Sequence, residues 1–593
     1  MDNSSVPEQA KRTMTAAYNE ISVSPQNSPA QSKTLKRADK HANSSTLKFA
    51  GRMVREWGYS NDLYKHRLSG RHPVQLLASP DDPAPGNATL GSALLGGDML
   101  FGNDSLSINE RFWTRLDEKN TSFFSYGHRF HWLQDLAQVK DQQQARETGE
   151  FLTRRWLDLY GTTWRGDTWN AEILSRRLIN WLAHAPLILS SSDLVYRSTV
   201  LLSMARQARH LLRAQNDTDI GLPQIYTASA LTLSGLLLPG GSAWFTRGIK
   251  TLEAIIQAFI LPDGGPASRN PSDIIKSIQT LILVRNAFRD VQKDQPVWLQ
   301  PAIDRMVPFI KAMRHENGNL CHFSGSSAEG GHGTDAVLAV SEAKGKALDS
   351  ASHTGYQRLK AGNGCLIVDA GPPPAQDISM SAHASTSAFE FSSGSEHIIV
   401  NMGSAATHGP IPELQKMCRT TAAHSTLIIA DRNSTKINED GSLGKGVNEV
   451  SFKREYVDGS AKLDIEHDGY LSRFGVTHSR SLTLRHDGLK LSGIDSLDGV
   501  DRRRLNGAEA LIRFHLHPSV TVASTPDGRI TLESQSGKLW IFDVVGGTSR
   551  LEDSLYLPRP DEIRPTKQIV IRISPSDEAA LSCKWFLERI NTR

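Results

Sequence analysis

The chain has 593 residues, of which 39% are hydrophobic and 22% charged, and its 67 basic and 63 acidic side chains leave a formal net charge of +4. That length is too great for one hydrophobic core and predicts two or three domains. The near-balanced charge lacks the concentrated basic face of a nucleic-acid binder, and no stretch reaches the ~20 consecutive apolar residues of a membrane span. Cys321, Cys365, Cys418 and Cys583 are scattered, which argues against a disulfide framework and against a thiolate zinc site.

Residues 1–45 are rich in Ser, Asn, Gln, Lys and Ala and lack the apolar segment of a secretory signal. They are expected to form a disordered polar tail. With no export signal visible, the chain as written is expected to stay in the cytoplasm.

Residues 46–345 read as helical. Apolar residues recur at three- and four-residue spacing in 171–187, where Ile173, Leu174, Leu178, Trp181 and Leu182 share a face, and again in 195–212. Further helices are predicted over 226–238, 244–260, 273–291 and 298–314. Loops such as Leu261-Pro262-Asp263-Gly264-Gly265 separate them, as in stacked antiparallel helical hairpins.

After residue 345 the period becomes two. Short strands are expected at 398–400, 427–429, 520–522, 530–532, 538–542 and 569–572. The strands at 482–485 and 489–491 flank His486-Asp487-Gly488, a hairpin signal. Many short strands joined by turns predict an antiparallel β-sandwich over 346–593. The Gly/Ser-rich stretch 324–334 marks the boundary, either as a linker or as a loop reaching into a cleft.

Several segments carry a family resemblance over about residues 95 to 545. In the first half they are Phe130-His131-Trp132-Leu133, Trp169, Arg176-Arg177, Asn180-Trp181, Gln257, Asp263-Gly264-Gly265 and Ser268-Arg269-Asn270-Pro271. In the second half they are Ala382-His383-Ala384, Ser387-Ala388-Phe389-Glu390, Asn401-Met402-Gly403, Arg419, Ala423-His424-Ser425 and Phe514-His515-Leu516-His517-Pro518. In order and spacing these segments resemble the heparinase II/III family. The resemblance implies an (α/α) toroid followed by a β-sandwich. It also implies a polysaccharide lyase that cleaves a uronic-acid glycan by β-elimination, and it points to the periplasm, where such proteins often work.

The family's chemistry uses an Asn-His pair and a Tyr on the toroid and a His on the sandwich, beside a zinc held by two His and one Asp. Here the pair falls on Leu222-Pro223, the Tyr falls near Asp273, and the catalytic His is Ser381. His383 and His424 match the two metal histidines, and Asn401 stands where the Asp is expected. A weak zinc site at His383, Asn401 and His424 is therefore implied, since neutral amide oxygen is a poor zinc ligand. The alternative is that both histidines are hydrogen-bonded core residues.

Tyr226 and Arg269 are the remaining catalytic candidates, with Arg419, Glu390 and Trp169 as substrate-binding candidates. Each has a structural alternative. Tyr226 could be a core aromatic, and Arg419 could anchor the loop before His424. Glu390 points away from Phe389 on its strand and either lines the cleft or sits in an internal ion pair. His515 and His517 share a sheet face and read as structural. Three function readings follow: a lyase acting on an acidic polysaccharide, a catalytically impaired glycan-binding or structural protein of the same fold, and a glycoside hydrolase built on two of Asp263, Asp273 and Glu390.

Overall fold

The computed structural model describes residues 31–38, 61–161, 164–327, 333–405, 412–499, 508–559, 562–573 and 581–590, with short pieces near 55–59 and 502–505. An N-terminal helical half leads into two antiparallel sheets. The architecture is the toroid followed by a sandwich that the sequence predicts.

The principal helices are Gln142–Tyr160, Ala171–Ala183, Leu194–Ala214, Leu222–Leu237, Ser242–Phe259, Pro271–Asp290 and Leu299–Ala312. Side-chain caps set several starts. Asp141, Asn170, Asp193 and Asn270 each accept a backbone N–H of the first turn, contributing about 1 kcal/mol apiece. The predicted 171–187 helix stops at Ala183, and a separate turn, Ala185–Leu189, carries Pro186 in its first turn, a position that proline tolerates.

One sheet orders its strands Gln31–Lys36, Glu449–Val457, Ser460–His467, Val476–Leu484, Lys490–Gly499, Leu581–Arg589, Leu539–Val545, Ile530–Glu533 and Thr521–Ser524. The other runs Gly547–Arg559, Glu562–Ile573, Ala510–Leu516, Glu396–Val400, Phe389–Ser393, Gly364–Asp369, Tyr356–Ala361 and Ser350–Ala351, with Leu427–Ile429 beside Ala510–Leu516. Phe389, Phe514, Trp540 and Trp585 fill the space between the sheets. The outer face of the second sheet contributes Tyr356, Cys365 and Ile367 to the helical core, so the two halves share buried apolar surface.

The expected polar tail needs one correction. Gln31–Lys36 is an edge strand paired antiparallel with Glu449–Val457. Arg37 fastens it by donating to the carbonyls of Pro374, Leu443 and Gly444. The strand's own sequence, QSKTLK, is polar because edge strands stay half-exposed. Residues 1–30 and 39–45 of that tail lie outside the described residues, as does His332 of the boundary stretch.

One buried polar network ties the sheets to the loops above them. Asp495 accepts from Arg480 Nε at 2.6 Å, from His478 Nε2 at 2.8 Å and from Trp585 Nε1 at 2.8 Å. Arg480 also donates to the carbonyls of Ser387 and Ser425 at 2.8 and 2.9 Å. It thereby fixes the segment next to His424.

Candidate functional site

Three elements of the helical half bring Arg129, Glu172, Arg176 and Tyr226 together beside a polar cavity. Helix Thr121–His128 ends just before Arg129, and helix Ala171–Ala183 carries Glu172 and Arg176 one turn apart. Helix Leu222–Leu237 supplies Tyr226. Arg177, the neighbour of Arg176, turns into the core instead, donating to Gln207 Oε1 and to the carbonyls of His128 and Thr168.

Arg129 pairs with Glu172 at 2.6 Å, and the two side chains retain 21% and 35% of their exposure. They line an open cavity of about 420 Å³ together with Phe124, Asn170 and Ile173. The Arg176 guanidinium stacks 4.8 Å from the Tyr226 ring centroid. Among the described residues Arg176 makes no hydrogen bond or ion pair, and the buried Arg129 Nε has no partner. Arg129 meets Glu172 at the cavity wall, and the stacked Arg176 guanidinium beside them keeps unpaired N–H donors of the kind that receive a carboxylate or sulfate.

The electrostatics sort the titratable groups. Burial raises Tyr226 above its ordinary value, against the opposing pull of Arg176 and Arg129, so its hydroxyl stays protonated. Burial also raises Asp273, on the first turn of helix Pro271–Asp290, although Ser268 Oγ donates to it at 2.6 Å. Burial, reinforced by Arg176, pushes His131 down to about 3 and keeps it neutral. Leu222 and Pro223 open the helix that bears Tyr226, behind Gly221 at φ 102°, and carry no proton-transfer group.

Several predicted site residues hold the fold together instead. Arg269 joins the two halves: it donates to Asp369 Oδ1 at 2.6 Å and to the carbonyls of Thr354, Gly371 and Pro372. With its guanidinium buried in those bonds, Arg269 is a latch rather than a catalytic group. Asp263 likewise accepts from His353 N, Thr354 N and Thr354 Oγ1. Trp169 is fully buried and donates from Nε1 to Tyr160 O, so it presents no stacking face to a sugar. Arg419 donates to the carbonyls of Ala382 and Ser379 at 2.8 and 3.1 Å. That is the anchoring alternative, and it corrects the substrate-binding expectation.

Glu390 takes the internal alternative and does not line a cleft. Phe389 packs between the sheets while Glu390 faces the helical half, fully buried. It accepts from His315 Nε2 at 3.2 Å, His322 Nδ1 at 3.2 Å, His322 N at 3.0 Å and Asn401 Nδ2 at 3.3 Å. Against the raising effect of burial, His322 and His315 hold its carboxyl well below the usual carboxylate range. With Asp263 and Glu390 committed, Asp273 is the one carboxylate of the hydrolase trio left without a structural assignment, and that reading loses its facing pair.

The expected zinc positions His383, Asn401 and His424 lie together, with Asn401 turned to protein partners. His424 donates from Nδ1 to Thr420 O at 2.7 Å, so its Nε2 is the acceptor for His383 Nδ1 at 3.0 Å. Asn401 gives its Oδ1 to the N–H of Ser425 at 2.9 Å and its amide N–H to Glu390. Asn401 Oδ1 and His424 Nδ1 are thus engaged with backbone groups, while His383 Nε2 makes no hydrogen bond among the described residues. Burial holds His424 at about 4 and His383 well below its ordinary value, so both rings stay neutral. His515 donates to or accepts from Ser554 Oγ and contacts Ala422 O, the structural role expected for it.

Sequence reasoning missed His315, His322, His397 and Tyr556, which gather around Glu390 and His517. Only the Asn317-Gly318 turn gave a local signal. Gly318, at φ 87°, folds the chain so that His315 N donates to Asn319 O, and His315 and His322 both reach the sandwich.

Comparisons place this geometry among known proteins. Residues 343–585 match the family model described as heparinase II/III-like, C-terminal. The chain is 28% identical over 568 residues to FtsZ-localized protein C of Caulobacter vibrioides (strain NA1000 / CB15N), covering 91% of this chain and 94% of that one. It superposes on the crystal structure of heparinase III with a TM-score of 0.66 at 14% identity, over 92% of this chain and 91% of that chain. A heparan sulfate lyase HepC mutant from Pedobacter heparinus gives 0.59 at 14% identity, over 93% and 90%. At such identity these solved structures establish the fold, and the family match identifies residues 343–585 as similar to the heparinase II/III-like C-terminal domain.

Proposed function

We propose that this protein binds an acidic, uronic-acid-containing polysaccharide in the toroid cleft and cleaves it by β-elimination. The observation that carries the reading is Arg176, stacked on Tyr226 with its guanidinium unpaired. Together with Arg129 it neutralises the uronate carboxylate, which acidifies the C5 proton.

The remaining roles follow from the shifted groups. Asp273, made more basic by burial, takes the C5 proton. The electron pair forms the C4–C5 double bond as the C4–O bond breaks. Tyr226, held protonated, donates its proton to the departing oxygen. Release of unsaturated uronate from a panel of acidic polysaccharides by the full chain tests this reading.

A second reading is binding without turnover. It is favoured by Leu222, Pro223 and Ser381 at the family's proton-transfer positions, and by a relative named for its localisation with FtsZ rather than for a lyase activity. Glycan affinity with no unsaturated product across the panel is its signature.

A further inference from the structure

His315, Glu390 and His397 place one possible ligand atom each within 4.8 Å of the others, and all three side chains are buried. His315 Nε2 lies 3.2 Å from Glu390 Oε2. Two atoms bound tetrahedrally to one zinc at ~2.0–2.1 Å stand about 3.3–3.5 Å apart, so this spacing already suits an ion.

Two further observations point to a missing partner. His397 is 3% exposed, yet neither of its ring nitrogens has a hydrogen-bond partner among the described residues. A neutral imidazole carries one N–H, and burying it unpaired costs about 1–3 kcal/mol. His315 Nδ1 is meanwhile held by Ser392 Oγ at 2.8 Å, which orients the ring and leaves Nε2 to face Glu390. Such a bond to the second nitrogen is the usual support of a metal-bound histidine.

We propose that His315, Glu390 and His397 bind a zinc-type divalent cation at the junction of the two halves, a site separate from His383, Asn401 and His424. His315 follows the last long toroid helix, Leu299–Ala312, whereas Glu390 and His397 sit on adjacent strands of the sandwich. The ion fastens one half to the other. Two histidines and one carboxylate are borderline ligands that suit zinc better than calcium or magnesium.

The test uses the full chain purified after growth with zinc. Elemental analysis should find close to one zinc per chain, and anomalous scattering from wild-type crystals should place it between His315 and His397. His397→Gln should lower occupancy at least tenfold, while His383→Ala should leave it unchanged. Absence of zinc after dialysis against the metal would overturn the proposal. So would an anomalous peak at His383 and His424, or zinc retained by folded His397→Gln. If that variant does not fold, the wild-type anomalous map decides alone.

Discussion

The Arg176 guanidinium lies 4.8 Å from the centre of the Tyr226 ring, and Arg176 has no hydrogen-bond or ion-pair partner among the described residues. An arginine that is stacked but unpaired keeps its N–H fork for a ligand. Arg176→Ala should therefore weaken binding of an acidic oligosaccharide. Loss of one charge-assisted contact, about 1.5–3 kcal/mol, corresponds to roughly 10- to 150-fold in Kd. Calorimetric titration measures it, and the wild-type affinity should fall as salt is raised.

Asp273 is predicted to set the acid limb of the pH–rate profile. Burial raises its carboxyl, so the base becomes active at a pH above the ordinary ~3.9 of aspartate. Asp273→Asn should lower the rate by about 10²–10⁴-fold with little change in glycan affinity, and the acid limb should disappear from any residual activity. An unchanged limb would assign the base elsewhere.

Arg269 should affect stability and leave chemistry alone. It is buried, takes a positive φ of 61°, and bridges to Asp369 at 2.6 Å. Arg269→Met leaves the Asp369 carboxylate buried without its cation, which costs about 3–5 kcal/mol. Urea unfolding should show that loss. Glycan affinity of the folded fraction should match wild type, because the guanidinium faces backbone carbonyls rather than the cleft.

Acid should destabilise the fold through its buried histidines. His131, His210 and His515 are held down to about 3, and His424 to about 4, with burial the leading cause for each. The unfolded chain protonates these groups near ~6.5, so below that pH it binds more protons than the folded chain. The stability tied to these four histidines is fully present above ~6.5 and falls as pH drops toward 4, by about 1.4 kcal/mol per pH unit for each. Urea midpoints measured from pH 7.5 to 4.5 should decline steadily across that window.

Much of the fold was legible because its signals are local. The 3–4 spacing of Leu174, Leu178, Trp181 and Leu182 marks a helix that does run Ala171–Ala183, and Leu427–Ile429 is a strand at the predicted bounds. Gln31–Lys36 was not legible, since its partner Glu449–Val457 lies more than 400 residues away in sequence and its own residues are polar. The site was harder still. Arg269 and Arg419 look like substrate arginines in sequence, where only charge is visible, while backbone carbonyls brought by distant loops occupy them. The Glu390 cluster joins His315 and His397 from opposite sides of the domain junction, and no spacing rule encodes that meeting. Tyr226 was named from its place one turn past Leu222-Pro223. Its stacking partner came from the Arg176-Arg177 pair, whose two members point in opposite directions.

β-Elimination by this protein requires Tyr226 to donate a proton beside arginines that hold an acidic sugar. The direct measurement is absorbance of unsaturated uronate when purified wild-type chain and Tyr226→Phe meet a panel of uronic-acid polysaccharides. This mechanism predicts product from at least one polymer with wild type and a loss of about 10²-fold or more with Tyr226→Phe, at similar glycan affinity. Equal product from both proteins would contradict it, as would no product from wild type on any polymer that it binds.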